Sequence, residues 1–422
     1  MKQITIIGTG YVGLVSGAGI SDFGHQVTCV DILEEKISSL NQGVIPIYEP
    51  GLKDLVERNI QAGRLVFSTD IGRMIKNSEV VFIAVGTPSD ENGNADLKYV
   101  YSAANIISKN INKYKIIVTK STVPVTTGDK IEKIINIKKN NNKFDVVSNP
   151  EFLREGEAIR DFIYPDRIVI GTESRKANKI LKSLYSSLIS KGAKYINTSR
   201  RAAELIKYAS NSFLATKITF INEIANLCEK ININIEDVAI GMGLDNRIGS
   251  RFLRAGPPYG GSCLPKDTKA LVSIASKFKT DLPVVKKVIA SNSNRSKLLL
   301  KNISIILSNK FKNRKICFLG VTFKANTDDM RESSCLKMIP FFSKKGAFIS
   351  YFDPTGEKNE FKKFKNVKFT NSIKHACYKS DLIVIHTDWN EFKSLNFKKL
   401  VNKKIFFIYD LRNVYSPKKM KK

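Results

Sequence analysis

Short runs of β-branched and aliphatic residues recur along the first part of the chain, separated by stretches of helical length. They are Ile4–Ile7, Gln26–Val30, Val80–Val85, Ile116–Thr119, Asp145–Ser148 and Arg167–Ile170. This alternation predicts a doubly wound parallel sheet. From about Ser199 to Leu300 the strand signal stops. Apolar residues there recur at spacings of three and four, most clearly over Ala202–Ile231, which predicts a long spine helix. Strand and helix alternate again from Lys315–Gly320 through Ala347–Phe352, Leu382–His386 and Lys404–Tyr409. The expected fold is α/β: two doubly wound parallel-sheet domains, 1–200 and 301–422, joined by a central helical domain, 201–300. No fixed-period repeat and no low-complexity linker interrupts this order.

The first strand runs straight into Gly8-x-Gly10-x-x-Gly13, and the second ends in Asp31, 18 residues after Gly13. Strand, glycine turn, helix, strand and acid in this order predict a Rossmann-like dinucleotide site. Gly8 permits the tight turn, Gly10 lets a pyrophosphate approach the backbone, and Gly13 lets the helix pack closely. A carboxylate at Asp31 accepts ribose hydroxyls and repels a 2′-phosphate, so NAD is expected rather than NADP. Two further strand ends, Val85-Gly86-Thr87-Pro88 and Lys120-Ser121-Thr122-Val123-Pro124, place hydroxyls where open parallel sheets bind ligands.

A second concentration of chemistry is Gly260-Gly261-Ser262-Cys263-Leu264-Pro265-Lys266-Asp267. Pro265 suits the first turn of a helix, which puts the Cys263 thiol at a helix N-terminus near Lys266, and both influences favour thiolate. Asp267, four residues on, shares a helix face with Cys263 and is a candidate general base. On the spine, Lys207 and Asn211 are spaced i and i+4 and face the same way, as a pair suited to a developing oxyanion. Glu151, in Ser148-Asn149-Pro150-Glu151-Phe152-Leu153-Arg154-Glu155-Gly156, is a candidate proton shuttle. A redox cofactor site and a nucleophilic thiol in one chain suggest an oxidation that passes through a thioester.

Composition narrows the alternatives. The 422 residues are 42% hydrophobic and 26% charged, and no run approaches the roughly 18 apolar residues of a membrane span. The opening Met-Lys-Gln-Ile-Thr-Ile-Ile-Gly enters a strand directly, without the features of a secretory leader, so a cytoplasmic protein is expected. Six scattered cysteines and three isolated histidines argue against a disulfide framework or a metal site. Cys263 alone stands outside an apolar or helical context. The formal charge of +30 raises nucleic-acid binding as a reading from another class. Its lysines, as at Lys138-Lys139, Lys362-Lys363 and Lys418-Lys419, are dispersed among Asn and Ile without an arginine-rich arm, so no nucleic-acid partner is expected.

The chain resembles the UDP-glucose/GDP-mannose dehydrogenase family over nearly its whole length. The resemblance rests on Gly-Thr-Gly-Tyr-Val-Gly-Leu (8–14), Pro-Ile-Tyr-Glu-Pro-Gly-Leu (46–52), Lys-Ser-Thr-Val-Pro (120–124) and Asn-Pro-Glu-Phe-Leu-Arg-Glu-Gly (149–156). It rests further on Asp-Asn-Arg-Ile-Gly (245–249), the 260–267 segment and Thr-Phe-Lys-Ala-Asn-Thr-Asp-Asp-Met-Arg-Glu-Ser (322–333). The resemblance implies a four-electron oxidation of a nucleotide-sugar C6 alcohol to a carboxylate, with two NAD consumed in turn. UDP-glucose is the leading substrate; GDP-mannose or another nucleotide sugar is the alternative.

The same resemblance implies roles for individual residues. Lys207, Asn211 and a water held by Thr122 and Asp267 assist alcohol deprotonation. Cys263 attacks the aldehyde, and Glu151 helps hydrolyse the thioester. Tyr11, Val12, Lys36, Thr87, Thr122, Glu155, Lys266 and Arg331 join the glycines and Asp31 near NAD. Glu151, Phe152, Leu153, Lys207, Asn211, Tyr259, Gly260, Phe323, Lys324 and Arg412 contact the UDP-sugar. Arg247 reaches across the interface of a homodimer or larger assembly built on the spine. Three departures from the family pattern are Pro257-Pro258 in a loop that is usually more glycine-like, Leu264 for phenylalanine, and Leu411 for glycine.

Overall fold

The structure, a computed structural model, describes residues 1–90, 93–136, 144–416 and 420. Lys138, Lys139, Lys418, Lys419, Lys421 and Lys422 lie outside the described residues. The chain divides into one unit of Met1–Ser210 with Ser273–Lys279 and another of Asn211–Val272 with Thr280–Lys422.

The first unit is built on an eight-stranded sheet. Its strands are β1 (Gln3–Ile7), β2 (Gln26–Val30), β3 (Leu65–Ser68), β4 (Val80–Ile83), β5 (Lys115–Thr119), β6 (Phe144–Ser148), β7 (Arg167–Gly171) and β8 (Lys194–Thr198), in the order β3-β2-β1-β4-β5-β6-β7-β8. Helices cover both faces, so a central strand must be apolar on both. In β4, Val80 and Phe82 enter one core with Ile4, Ile6 and Leu14, while Val81 and Ile83 enter the other with Ile7, Ile107 and Ile117.

Strands β1 to β6 pair in parallel. Strand β7 then meets β6 antiparallel at Ser148 and Gly171 and pairs parallel with β8. This one reversal departs from an all-parallel sheet. The six-residue helix Ala158–Ile163 between β6 and β7 does not make a long crossover. Its Phe162 stacks on Phe23, with ring centroids 5.7 Å apart, at the end of the first helix, Tyr11–Asp22. The expected strands are all present, and three unexpected ones, β3, β8 and β11 (Val367–Phe369), lie at sheet edges.

The spine helix, Arg200–Ile231, has 32 residues and a length of about 48 Å. Its first turn is seated on β7 at Gly171, where a β-carbon would lie 2.6 Å from Ala203 Cβ and 2.8 Å from both Arg200 Cα and Ser199 O. Arg200 adds ion pairs to Asp129 at 3.2 Å and Glu132 at 2.6 Å.

The second unit contains the remainder of the spine, the helices Ile235–Gly243 and Pro283–Ile306, and a five-stranded parallel sheet. That sheet has the order β11-β10-β9-β12-β13, with β9 (Lys315–Leu319), β10 (Phe348–Phe352), β12 (Leu382–Ile385) and β13 (Phe407–Asp410). Separate apolar cores pack on its two faces, one including Phe318 and Phe342, the other Leu319 and Phe392. Among the described residues no helix is long and apolar enough to cross a membrane.

Because Gly171 meets backbone atoms that cannot rotate away, Gly171→Ala should lower the stability of the first unit by about 1–3 kcal/mol. A urea midpoint followed by far-UV circular dichroism checks this. An unchanged midpoint would mean that the spine is not seated on β7 at this contact.

Candidate active site

In the first unit the glycine turn has the form its spacing predicts. Gly8 has φ of 103°, and a β-carbon there would lie 2.7 Å from Ala84 O; one on Gly13 would lie 1.9 Å from Gly8 O. At Gly10, by contrast, nothing lies within 4 Å of the position a β-carbon would take. No side chain caps the helix that starts at Tyr11. Its first amides therefore face an opening of the kind that receives phosphate. Asp31 is pre-oriented beside this turn: its Oδ2 accepts from Thr9 N at 3.0 Å and Thr9 Oγ1 at 2.7 Å, and Lys36 Nζ stands 3.4 Å away. Burial alone would raise its pKa, but the Thr9 amide and hydroxyl, Lys36 and the Leu33 amide outweigh it, and the carboxyl is held below its ordinary value. The turn and its acid fit a dinucleotide. Thr87 Oγ1 donates to Thr122 O at 3.0 Å, so the two hydroxyl-bearing strand ends are tied together.

The same unit brings Glu151 and Lys207 together. Lys207 Nζ donates to Glu151 Oε1 at 3.0 Å, with side chains only 3% and 5% exposed, and Glu151 Oε2 accepts from Leu153 N at 2.5 Å. Phe152 lies beside this pair, its ring 5.4 Å from Lys207 Nζ and 3.9 Å from the Arg167 guanidinium. Leu153 packs against the neighbouring core.

In the second unit, Cys263 O accepts the Asp267 N–H at 2.8 Å, which makes Cys263 the residue that opens the helix Leu264–Lys277. It is partly exposed, whereas the other five cysteines are buried. Its Sγ lies 3.4 Å from Ser262 Oγ. Buried Asp267 is engaged at both oxygens, by Asn211 Nδ2 at 2.6 Å and by Lys266 Nζ at 2.7 Å. Lys266, expected near the thiol and the cofactor, pairs with Asp267.

The loop leading to Cys263 is pressed against the 322–333 segment. A β-carbon on Gly260 would lie 2.7 Å from Glu332 O, one on Gly261 would lie 2.7 Å from the Phe323 ring, and Gly261 N donates to Arg331 O at 2.8 Å. Lys324 Nζ sits 5.8 Å from the Phe323 ring, and Arg412 donates to Phe323 O at 2.7 Å and His386 O at 3.0 Å. Gly260, Phe323, Lys324 and Arg412 are thus one connected group. Pro257 and Pro258 lack N–H donors, but their neighbours are well bound: Gly256 N donates to Asn222 Oδ1 and Tyr259 N to Asn292 Oδ1, each at 2.8 Å.

Two predicted residues stand on the exposed surface of the second unit with local partners. Arg331 forks onto Asp329 at 2.7 Å, and Arg247, 90% exposed, onto Asp245 at 2.6 Å. Sequence reasoning missed three buried groups of the first unit. Lys120 lies behind Glu151 and donates to Asn149 Oδ1 at 3.3 Å. Burial above all, with Lys207 adding to it and Glu151 opposing, pushes its pKa down to about 8. Glu49 and Glu204 each accept several backbone amides. Only Lys120 and Glu49 had a sequence signal, since both fall inside family-like motifs.

Family models describing the NAD binding, central and UDP binding domains of the UDP-glucose/GDP-mannose dehydrogenase family match residues 2–189, 201–294 and 317–417. A UDP-glucose 6-dehydrogenase of Rhizobium meliloti (strain 1021) is 49% identical over 417 residues, covering 98% of this chain and 95% of the relative. One from Rickettsia felis (strain ATCC VR-1525 / URRWXCal2) is 47% identical over 423 residues, covering 100% and 94%. The solved structure of a UDP-glucose dehydrogenase from the hyperthermophilic archaeon Pyrobaculum islandicum matches with a TM-score of 0.91 at 33% identity, covering 98% of this chain and 95% of that one.

Glu204 stands one turn before Lys207 on the spine. Its carboxylate accepts from Thr126 N and Gly128 N, both at 2.8 Å, where the chain leaves the Thr122 loop for the helix Thr127–Asn136. Burial raises its pKa more than these amides and Ser148 lower it, to about 7 from an ordinary 4.5. Between those values the folded protein keeps a proton that the unfolded chain has lost. The resulting stability is complete below 4.5 and disappears as pH rises through 7, with a slope of at most about 1.4 kcal/mol per pH unit. Glu204→Gln should remove that slope, measured as the difference between variant and parent unfolding free energies from pH 5 to 8. Parallel curves would show that Glu204 is ionised throughout.

Proposed function

We propose, on the premise that the chain belongs to the UDP-glucose/GDP-mannose dehydrogenase family, that it oxidises the C6 alcohol of UDP-glucose to the carboxylate of UDP-glucuronate with NAD. The protein is an NAD-dependent oxidoreductase. The observation that carries the substrate is the 49% identity, across 98% of the chain, with a UDP-glucose 6-dehydrogenase.

When bound, NAD accepts one hydride in each of two successive oxidations. The protein's residues do the rest. In the first, Lys207 and Asn211 present a cation and an amide hydrogen to the alkoxide that forms as the alcohol proton leaves. Thr122 and Asp267 assist that proton's departure. In the second, the Cys263 thiolate adds to the aldehyde, giving a thiohemiacetal whose C–H hydride leaves to form a thioester. Glu151, already bound to Lys207, then directs water onto the thioester and the thiol is released. Two hydrides and one water account for the four-electron change from alcohol to carboxylate.

The remaining roles are proposals of the same reading. Gly8, Gly10, Tyr11, Val12, Gly13, Asp31, Lys36, Thr87, Glu155, Lys266 and Arg331 serve NAD. Phe152, Leu153, Tyr259, Gly260, Phe323, Lys324 and Arg412 serve the UDP-sugar. The three-part division at 200 and 300 and a cytoplasmic location belong to this reading too. A homodimer is supported by Phe213, Phe220 and Leu227, which recur every seven residues on the spine and are 66%, 47% and 56% exposed. Arg247, held by Asp245 on the surface, is offered to the partner subunit's site.

Limiting UDP-glucose should yield two NADH per sugar, counted by absorbance. Cys263→Ser should stop carboxylate formation after the first oxidation. One NADH per sugar from the parent protein, or unaltered carboxylate production by the variant, would sink the thioester route. Replacing Phe213 and Phe220 together by Asp should convert the assembly to monomers in light scattering; an unchanged mass would place the interface elsewhere.

A further inference from the structure

The motif Pro46-Ile47-Tyr48-Glu49-Pro50-Gly51-Leu52 takes no part in the chemistry above, yet its carboxylate is buried at a junction. Glu49 Oε2 accepts from Gly156 N at 2.6 Å, and Oε1 from Ala158 N at 2.8 Å. The Tyr11 hydroxyl donates to the same Oε2 and also stands 3.1 Å from Gly156 N. Tyr11 is the first residue of the helix whose amides face the dinucleotide opening. Gly156 and Ala158 end the loop that carries Glu151.

We propose that Glu49 is a positioning residue that joins the NAD turn to the Glu151 loop, so that cofactor occupancy fixes the group that directs water onto the thioester. The inference rests on the proposed NAD-dependent reaction. Residues 149–157 leave β6 without a strand or helix of their own, so their amides need acceptors from elsewhere. An ionised carboxylate is a stronger acceptor than a neutral group, and one taking two amides at once fixes both position and orientation. Burial, then the Glu49 contact, raises the Tyr11 pKa, so the phenol keeps its proton and remains a donor. The proposed coupling runs through these contacts in order. With the turn occupied, Tyr11 is held, Glu49 is held by Tyr11, and the loop is held by Glu49. With the turn empty, the loop has more freedom, and Glu151 is less well placed for hydrolysis.

The test compares parent, Glu49→Gln and Tyr11→Phe proteins. Hydrogen exchange at the Gly156 and Ala158 amides is followed with and without NAD alone. NAD should slow exchange several-fold in the parent and have little effect in either variant. In turnover, Glu49→Gln should raise KM for NAD about tenfold, the loss expected for one charge-assisted hydrogen bond. It should also accumulate the enzyme-bound thioester, seen as added mass on the intact protein. Equal NAD protection in parent and variants, or a Glu49→Gln protein with a lower melting temperature but parental KM and no added mass, would overturn the proposal. If Glu49→Gln does not fold, Tyr11→Phe decides by its exchange response. A parent that gives no NADH from UDP-glucose but shows NAD protection would defeat the proposed function and leave the coupling standing.

Discussion

A carboxylate and an ammonium removed from water must find each other, or one must lose its charge, and the arrangement of the first unit depends on how Glu151 and Lys207 meet that demand. Their contact at 3.0 Å ties the loop after β6 to the spine helix. It requires the spine to lie close over β7, and Gly171 permits that approach. Lys120 is a second buried ammonium beside one carboxylate, so the local balance is positive. A surrounding short of negative charge is what an alcohol needs as it becomes an alkoxide.

The same device recurs twice more. Glu204 takes the amides of Thr126 and Gly128 after β5, and Glu49 takes those of Gly156 and Ala158 after β6. All lie beyond the carboxyl ends of parallel strands, where doubly wound folds bind ligands and where the backbone has left the sheet without yet entering a helix. Loop amides there have no ladder partner. A carboxylate brought from a distant part of the chain supplies the acceptor, and the loop gains the precision of an element without being one. Acids are few in this chain, 39 against 69 basic residues, and several of them are spent inside.

How far the sequence could be read follows from where each signal lies. β4 is buried on both faces, so Val80-Val-Phe-Ile83 is an unbroken apolar run and easily recognised. β8, Lys-Tyr-Ile-Asn-Thr, is an edge strand whose residues are mostly exposed, and β11 has only three residues, so neither leaves such a run. The reversal at β7 left no trace in the apolar run Arg167–Ile170, because run composition does not carry strand direction; the connection that sets it holds only a six-residue helix. Glycine spacing at 8–13 and the thiol before Pro265 at a helix start are short-range patterns and were legible. Glu49 was legible only as part of the motif 46–52; its role was not, since its partner Gly156 is 107 residues away.

Lys266 illustrates the limit of adjacency as a guide to electrostatics. Three residues from Cys263, its ammonium pairs with Asp267, whose other oxygen is taken by Asn211. Lys266 neutralises the carboxylate that follows it in the chain. Cys263 itself opens a 14-residue helix, and the amides of that first turn point toward the residue that precedes it, an arrangement that favours a thiolate. It is also the one cysteine of the six that is not buried.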